Sequence, residues 1–217
     1  MTRLLVKYCG NRSLADVKLT AGSRADYLGF LLTPHGKRFV EPEAVAQWLE
    51  AVPLQAHQRV VGLFVNATKQ SVISAADVVR MDIIQCHGSE RPERVADIAE
   101  ATGLPVWKAI HHERSALDKM KAYAGIAAGY VVDCKVAGQW GGTGFSFDWR
   151  AIPGYMEEAR RQGVPCFIAG GIRPENIDDV LAYDIDGIDL ASGIEEQNEK
   201  SGRKMRELEE RMRYHGN

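Results

Sequence analysis

Short β-rich segments alternate with helix-patterned segments along the whole 217-residue chain. Eight segments are rich in apolar and β-branched residues and end at turn signals: Leu4–Cys9, Asp26–Leu32, Arg59–Val65, Asp82–His87, Val106–Ile110, Gly129–Asp133, Cys166–Ala169 and Gly187–Ala191. A strand followed by a helix, eight times over, favours parallel strands closed into an α/β (β/α)8 or TIM barrel. A doubly wound open sheet is the alternative, but it rarely needs eight such units in so short a chain. Because no linker or low-complexity tract interrupts the pattern, we predict a single domain over residues 1–217.

Caps and prolines mark the helix starts between these strands. Ser13 precedes Leu14 as a candidate cap, and Ser201 lies upstream of an eighth helix predicted over Met205–Met212. Three more helices open with a proline beside acidic residues: Glu41-Pro42-Glu43, Arg91-Pro92-Glu93 and Arg173-Pro174-Glu175. Proline suits the first helical turn because its missing N–H has no partner there in any case.

Composition excludes several function classes. The formal net charge of −2, with both signs scattered, offers no basic face for nucleic acid. No apolar run approaches the ~20 residues of a membrane span, and Leu4-Leu5-Val6 is followed at once by Lys7, which argues against a signal peptide. The cysteines lack C-x-x-C pairing: they are Cys9, Cys86, Cys134 and Cys166. We therefore expect free thiols in a cytoplasmic protein. No helix shows a conspicuous exposed apolar stripe, so a monomer is expected over a homodimer.

Three glycine clusters fall late in the chain, and two of them directly follow predicted strands: Gly141-Gly142-Thr143-Gly144, Ala169-Gly170-Gly171-Ile172 and Ala191-Ser192-Gly193-Ile194. Glycine lets backbone N–H groups approach an anion closely, and a helix starting just afterwards adds partial positive charge. Turns after the last two strands of a barrel form its phosphate corner. We expect a phosphorylated small-molecule substrate, held by Gly142, Gly170, Gly171, Ser192 and Gly193.

Functional side chains of a parallel barrel lie at the carboxyl ends of its strands, where Cys9 and Asp133 are found. Strand cysteines are usually small buried hydrophobes, and an Asp after a strand is usually a turn residue. Cys9 differs because Lys7, two residues back, shares its face, and a nearby cation favours the thiolate. Asp189 on the last strand could pair with Lys7, since the first and eighth strands are neighbours in a closed barrel.

Other polar residues at the predicted barrel mouth complete the candidates. Arg38 lies in the loop after the second strand, where a guanidinium can clamp a carboxylate with two hydrogen bonds. Gln85 and His87 share one face of the fourth strand. Adjacent His111 and His112 point apart on a strand, so the ligand spacing of a metal site is lacking. We therefore expect no metal and no cofactor.

Short motifs follow one another along the chain from about residue 4 to 195: Lys7-Tyr8-Cys9-Gly10, Ala25-Asp26-Tyr27-Leu28-Gly29-Phe30, Gly62-Leu63-Phe64-Val65-Asn66, Gln85-Cys86-His87-Gly88, Gly141-Gly142-Thr143-Gly144, Phe147-Asp148-Trp149, Ala169-Gly170-Gly171 and Ser192-Gly193-Ile194-Glu195. The chain's resemblance to phosphoribosylanthranilate isomerase rests on these motifs and on their order. It implies that Cys9 is the general base, Asp133 the general acid, and Arg38 the arginine facing the anthranilate carboxylate. The late glycine turns correspond to the family's phosphate grip.

The family's activity is an Amadori rearrangement of N-(5-phosphoribosyl)anthranilate in tryptophan synthesis. The sequence departs from the common pattern at Asn11-Arg12, at Phe39, and at Lys200-Ser201, where a Lys-Asp pair often opens the last helix. These changes leave the acid and base in place. Two rivals remain: another sugar-phosphate barrel, such as a metal-dependent epimerase or an indole-forming synthase using Lys108, and a non-catalytic phosphometabolite-binding module.

Overall fold

A computed structural model describes residues 3–34, 36–133 and 149–214 of the chain. In this part of the chain, eight parallel strands close into a barrel in sequence order. They are β1 (Leu5–Tyr8), β2 (Tyr27–Leu31), β3 (Arg59–Phe64), β4 (Ile83–Cys86), β5 (Val106–His111), β6 (Gly129–Asp133), β7 (Cys166–Ala169) and β8 (Gly187–Leu190). Pairing of β1 with β8 closes the barrel and sets Lys7 beside Asp189. The predicted fold class is confirmed, and the predicted strand ends differ from these by a few residues at most.

Helices follow the strands and form the outer ring. They are α1 (Leu14–Ala21), α2 (Pro42–Ala51), α3 (Lys69–Val78), α4 (Pro92–Thr102), α5 (Ala116–Ala122), α6 (Ile152–Gln162), α7 (Ile177–Leu181) and α8 (Gly202–Tyr214). Short 3-10 turns span Trp149–Ala151 and Ser192–Ile194, and a small hairpin of β9 (Glu195–Glu196) and β10 (Glu199–Lys200) precedes α8. None of the helices in the described ranges is both long and apolar enough to cross a membrane.

Most of the predicted helix starts are confirmed. The Ser13 side chain accepts a hydrogen bond from the Asp16 N–H and caps α1, and Pro42 and Pro92 open α2 and α4. The start of α7 is different. Residues 174–176 form a turn ahead of this helix, and the Asn176 side chain accepts from the Arg173 N–H and donates to the Gly171 carbonyl, both at 2.9 Å.

The core has two layers. The larger one lies between the strands and the helices, and the smaller one fills the inside of the barrel. Inside the barrel, Trp107 packs against Tyr27 and Phe167 with ring centroids 4.9 and 4.8 Å away. These rings come from the first or second residue of their strands, so they close the amino-terminal end of the barrel. The carboxyl end is left for a cavity.

Candidate active site

A cavity of about 590 Å³ opens at the carboxyl ends of the strands. Its walls include all but one of the residues predicted to act on the substrate: Cys9, Arg38, Asp133, Gly170, Gly171, Ser192 and Gly193. The exception, Gly142, lies outside the described residues. Barrel order places the two glycine turns, after β7 and β8, between the strand of Asp133 and the strand of Cys9. Arg38 follows the next strand, β2, so the candidate acid, anion-binding turns, base and arginine follow one another around the mouth.

Cys9 lies one residue beyond β1, with its backbone held on both sides. Its N–H donates to the Leu190 carbonyl at 2.8 Å, and its own carbonyl accepts from Lys200 Nζ at 2.6 Å. Lys7 is fully buried below Cys9, and its Nζ lies 2.9 Å from Asp189 Oδ2. The sequence-based hypothesis of a Lys7–Asp189 pair is therefore confirmed. Burial lowers the pKa of Lys7, but Asp189 and then Cys9 outweigh it, so that pKa lies above its usual value.

The acidity of Cys9 depends on two opposing effects. Burial is the larger effect and raises the pKa of its thiol above the usual value. Lys7 and Lys200 favour the thiolate and oppose burial without cancelling it. The expected help from Lys7 is therefore present, but burial outweighs it, and the pKa of the Cys9 thiol stays above its usual value.

Asp133 ends β6 with its side chain almost fully buried, and its Oδ2 lies 3.3 Å from His87 Nε2. His87 lies one residue beyond β4, and its Nδ1 is 2.9 Å from Gln85 Nε2, as expected for side chains two positions apart on one face. His111 ends β5 in register with Asp133. Ligand atoms of His87, His111 and Asp133 all lie within 4.8 Å of one another, and this donor set is one that zinc accepts. Sequence reasoning missed this cluster because it considered His111 only with its neighbour His112, whereas the other two members lie at the ends of other strands.

Arg38 is engaged in a way that the sequence did not indicate. Its Nε and Nη2 atoms donate to Glu195 Oε1 and Oε2 at 2.9 and 2.6 Å, so one edge of the guanidinium is filled by a carboxylate of the protein itself. Burial raises the pKa of the Glu195 carboxyl, but Arg38 and Lys200 outweigh it and hold that pKa below its usual value. Glu195 is therefore an anion. The opposite edge of the Arg38 guanidinium is not used by this contact.

The two late glycine turns touch each other. Gly170 and Gly171 have φ of 89° and 71°, values that side chains other than glycine rarely adopt. A Cβ at Gly193 would lie 1.8 Å from the Ile172 carbonyl oxygen, so Gly193 packs directly on the backbone of the neighbouring turn. The second cluster itself forms a short 3-10 turn at Ser192–Ile194, and the expected helix does not start directly after it, because the hairpin intervenes and α8 begins at Gly202. For the first cluster the expectation of an immediate helix is wrong, because α7 begins only at Ile177.

Lys108, the candidate for synthase-type chemistry, is occupied elsewhere. Its Nζ lies 3.1 Å from Glu90 Oε2 and donates to the carbonyls of Cys86, Gly88 and Ala109 at 2.8–3.1 Å. Its side chain is 3% exposed and does not line the cavity. Lys108 therefore acts as a clamp on loop backbone, and the synthase rival loses its catalytic lysine.

Two of the other cysteines are free, as the sequence predicted. Cys86 and Cys166 are free and fully buried in the outer core. Burial raises the pKa of Cys86 to about 12 and that of Cys166 further still, so both thiols stay protonated. Cys134 lies outside the described residues.

Sequence reasoning also missed Lys200 and the part played by Glu195. These residues pair across the β9–β10 hairpin, where Lys200 Nζ lies 2.9 Å from Glu195 Oε1. The turn consists of Gln197 and Asn198, both with positive φ, which is the pattern of a two-residue type I′ hairpin. Asn in such a turn was the only sequence signal for the hairpin.

A closed barrel with titratable side chains and glycine turns around one cavity at the carboxyl ends of its strands defines a (β/α)8-barrel enzyme. Comparison with known proteins specifies which one. Residues 6–211 match the family described as PRAI, N-(5′-phosphoribosyl)anthranilate (PRA) isomerase. The chain therefore belongs to this family of isomerases.

Individual relatives agree. The chain is 53% identical over 215 residues to N-(5′-phosphoribosyl)anthranilate isomerase of Geobacillus thermodenitrificans, covering 99% of this chain and 96% of the relative. The crystal structure of phosphoribosyl anthranilate isomerase from Thermus thermophilus has a TM-score of 0.83 at 31% identity, covering 97% of this chain and 99% of that one. A phosphoribosyl anthranilate isomerase in complex with reduced 1-(o-carboxyphenylamino)-1-deoxyribulose 5-phosphate has a TM-score of 0.81 at 25% identity, with the same coverage.

Proposed function

We propose that this protein catalyses the Amadori rearrangement of N-(5′-phosphoribosyl)anthranilate to 1-(2-carboxyphenylamino)-1-deoxyribulose 5-phosphate in tryptophan biosynthesis. Membership of the family supports the substrate, and a relative's structure contains the reduced product. The observation that carries the mechanism is that Cys9 and Asp133 line one cavity, with the two glycine turns on the strands between theirs.

In the first step, Asp133 acts as general acid and gives its proton to the ribose ring oxygen. The bond from that oxygen to C1 breaks, and the lone pair of the anilino nitrogen forms a C1=N iminium. In the second step, the Cys9 thiolate takes the proton from C2. The C–H electron pair forms a C1=C2 double bond, and the iminium nitrogen receives the electrons of the C1=N bond.

The resulting enolamine becomes the product ketone when the C2 hydroxyl loses its proton and C1 gains one. Every atom of the substrate is kept, so the reaction is an isomerisation. Because the iminium nitrogen is the electron sink, the chemistry proposed here uses no cofactor.

The substrate has an anion at each end, and the cavity has a matching group for each. We assign the phosphate to backbone N–H groups of the turns that contain Gly170, Gly171, Ser192 and Gly193, and the anthranilate carboxylate to Arg38. Holding both ends fixes C1 and C2 between acid and base, which converts binding energy into orientation.

The experiment follows the fluorescence of the anthranilate sugar as purified protein consumes it. Wild type should consume the substrate, and Cys9→Ser should lose most turnover, about 10²-fold or more, because a hydroxyl has almost no anionic form at neutral pH. Cys166→Ser is the matched control: it changes the same atom in a buried thiol away from the cavity and should keep kcat. Failure of the wild type to consume the substrate contradicts the proposed activity, and normal turnover by Cys9→Ser contradicts the base.

A further inference from the structure

The carboxylate end of the cavity contains more charge than Arg38 alone. Glu195 grips the Nε and Nη2 edge of Arg38, and the opposite edge, formed by Nη1 and the second Nη2 N–H, is not used by this contact. A guanidinium is planar and rigid, so fixing one edge fixes the direction of the other. Glu195 thereby sets the plane in which Arg38 meets a ligand carboxylate.

The Arg38–Glu195 pair has no net charge and by itself would attract an anion weakly. Lys200 adds a second positive charge beside it. Its ammonium lies 2.9 Å from Glu195 Oε1, and it also donates to the carbonyls of Cys9 and Ala191 at 2.6 and 3.5 Å. Burial lowers the pKa of Lys200 and Glu195 opposes that shift, and all three N–H groups of the ammonium meet oxygen, which fits the protonated form. Two cations and one anion leave one net positive charge at the wall of a partly desolvated cavity, where charge interactions are strong.

The backbone holds this charge cluster in place. The hairpin pairs Lys200 with Glu195 in register. The Lys200 N–H donates to Asp16 Oδ1 on α1 at 2.9 Å, and the Ser201 N–H donates to the Ile194 carbonyl at 2.8 Å. The Lys200 side chain is fully buried and that of Glu195 is 6% exposed, so neither is a mobile surface group.

We propose that Glu195 and Lys200 are positioning residues for recognition of the substrate carboxylate. Glu195 orients Arg38, and Lys200 keeps the cluster at one net positive charge, which the ligand carboxylate neutralises. This inference rests on the proposed function, because it takes Arg38 as the group that meets that carboxylate.

The test compares two ligands that differ only in the carboxylate. One is reduced 1-(o-carboxyphenylamino)-1-deoxyribulose 5-phosphate, and the other is the same compound with a plain phenyl ring. Lys200→Met should weaken the first ligand about tenfold or more, the range expected for a contact to a charged group, and leave the affinity for the second unchanged. A general packing defect would weaken both ligands equally, and that result would overturn the proposal.

Two further variants make the test specific. The double variant Lys200→Met/Glu195→Gln again has one net positive charge, on Arg38, so it should bind the carboxylate ligand more tightly than Lys200→Met does. It also removes the buried carboxylate that loses one of its two cations in Lys200→Met, so it remains informative if the single variant fails to fold. Lys204→Met is the matched control, because Lys204 Nζ donates to the backbone carbonyl of Glu195, at 2.9 Å, and not to its carboxylate. It should leave the preference for the carboxylate ligand intact.

Arg38→Ala separates this inference from the proposed function. If Arg38→Ala keeps the preference for the carboxylate ligand, the assignment of Arg38 under the proposed function is wrong. If Arg38→Ala loses that preference and Lys200→Met keeps it, only the role of Lys200 is wrong.

Discussion

Two buried lysine–glutamate pairs lie at the mouth of this barrel, and they differ in what surrounds them. Lys108 and Glu90 are 3.1 Å apart, and Lys200 and Glu195 are 2.9 Å apart. All four side chains are nearly or fully buried. By distance and burial alone, the pairs are equivalent.

Their remaining hydrogen bonds separate them. The other N–H groups of Lys108 donate to backbone carbonyls. Glu90 accepts from the N–H groups of Gly88 and Asn66 at 2.7–3.1 Å. That pair ties together the loops after β3 and β4. The Lys200–Glu195 pair reaches Arg38 and the Cys9 carbonyl, both at the cavity wall. The role of a buried ion pair therefore depends on the groups that it orients. Breaking the Lys108–Glu90 pair should lower stability, and breaking the Lys200–Glu195 pair should impair ligand binding.

The largest effect is expected at the structural pair. Lys108→Met leaves the Glu90 carboxylate buried without a counter-charge, which should cost about 3–5 kcal/mol in the free energy of unfolding. The folded fraction should keep near-normal kcat, because Lys108 does not line the cavity. Urea unfolding and turnover on one preparation measure both quantities.

Two companion variants sharpen that prediction. Lys108→Met/Glu90→Gln should recover stability, since no unpaired charge is left buried. Lys121→Met breaks an exposed lysine–aspartate pair at 3.1 Å and should change little. A stable Lys108→Met protein with impaired turnover would reverse the distinction between the two pairs.

The second effect is at the candidate acid. Asp133→Asn keeps the shape and a hydrogen-bonding side chain beside His87, but removes the proton needed for ring opening. We expect kcat to fall about 10²-fold or more, while the reduced product analogue, already open-chain, binds nearly as well. Asp82→Asn is the control, because Asp82 accepts from the Val60 N–H at 2.7 Å at the amino-terminal end of β3. Near-normal turnover by a stable Asp133→Asn protein rules out Asp133 as the acid.

Sequence patterns predicted the barrel and the order of groups around its mouth for a physical reason. In a parallel barrel, the end of each strand is a fixed position, so strand ends can be read directly as cavity residues. Cys9 and Asp133 were placed by this rule alone. Because the first and last strands are adjacent in a closed barrel, the same rule also predicted the Lys7–Asp189 pair. Strand ends and strand faces follow a periodic backbone pattern, and these are the features that the sequence predicts best.

Side-chain partners far apart in sequence were not predictable in this way. Arg38 and Glu195 are separated by 157 positions, and their contact depends on a hairpin whose only signal is the Gln197-Asn198 turn. The acidity of Cys9 depends on how deeply the thiol is buried, and one sequence position beyond a strand does not reveal that depth. Lys108 looked reactive because the four oxygens around it, which come from β4, the loop after β4 and β5, could not be placed from sequence.

The smallest effect concerns Lys7 and the acidity of Cys9. Because burial raises the pKa of Cys9, the thiolate fraction is small at neutral pH and grows as pH rises. Lys7 lowers that pKa, so its loss in Lys7→Met raises the pKa of Cys9. The same variant leaves Asp189 without its cation, which raises the pKa of Cys9 further.

Iodoacetamide labelling of Cys9, followed by mass spectrometry against pH, should therefore rise at higher pH than for a free cysteine, and at higher pH still in Lys7→Met. Lys7→Met/Asp189→Asn removes both charges and should give an intermediate profile. If wild-type labelling reaches its midpoint at a lower pH than a free cysteine does, Lys7 and Lys200 outweigh burial. If wild type and Lys7→Met give identical profiles, Lys7 acts on the fold alone.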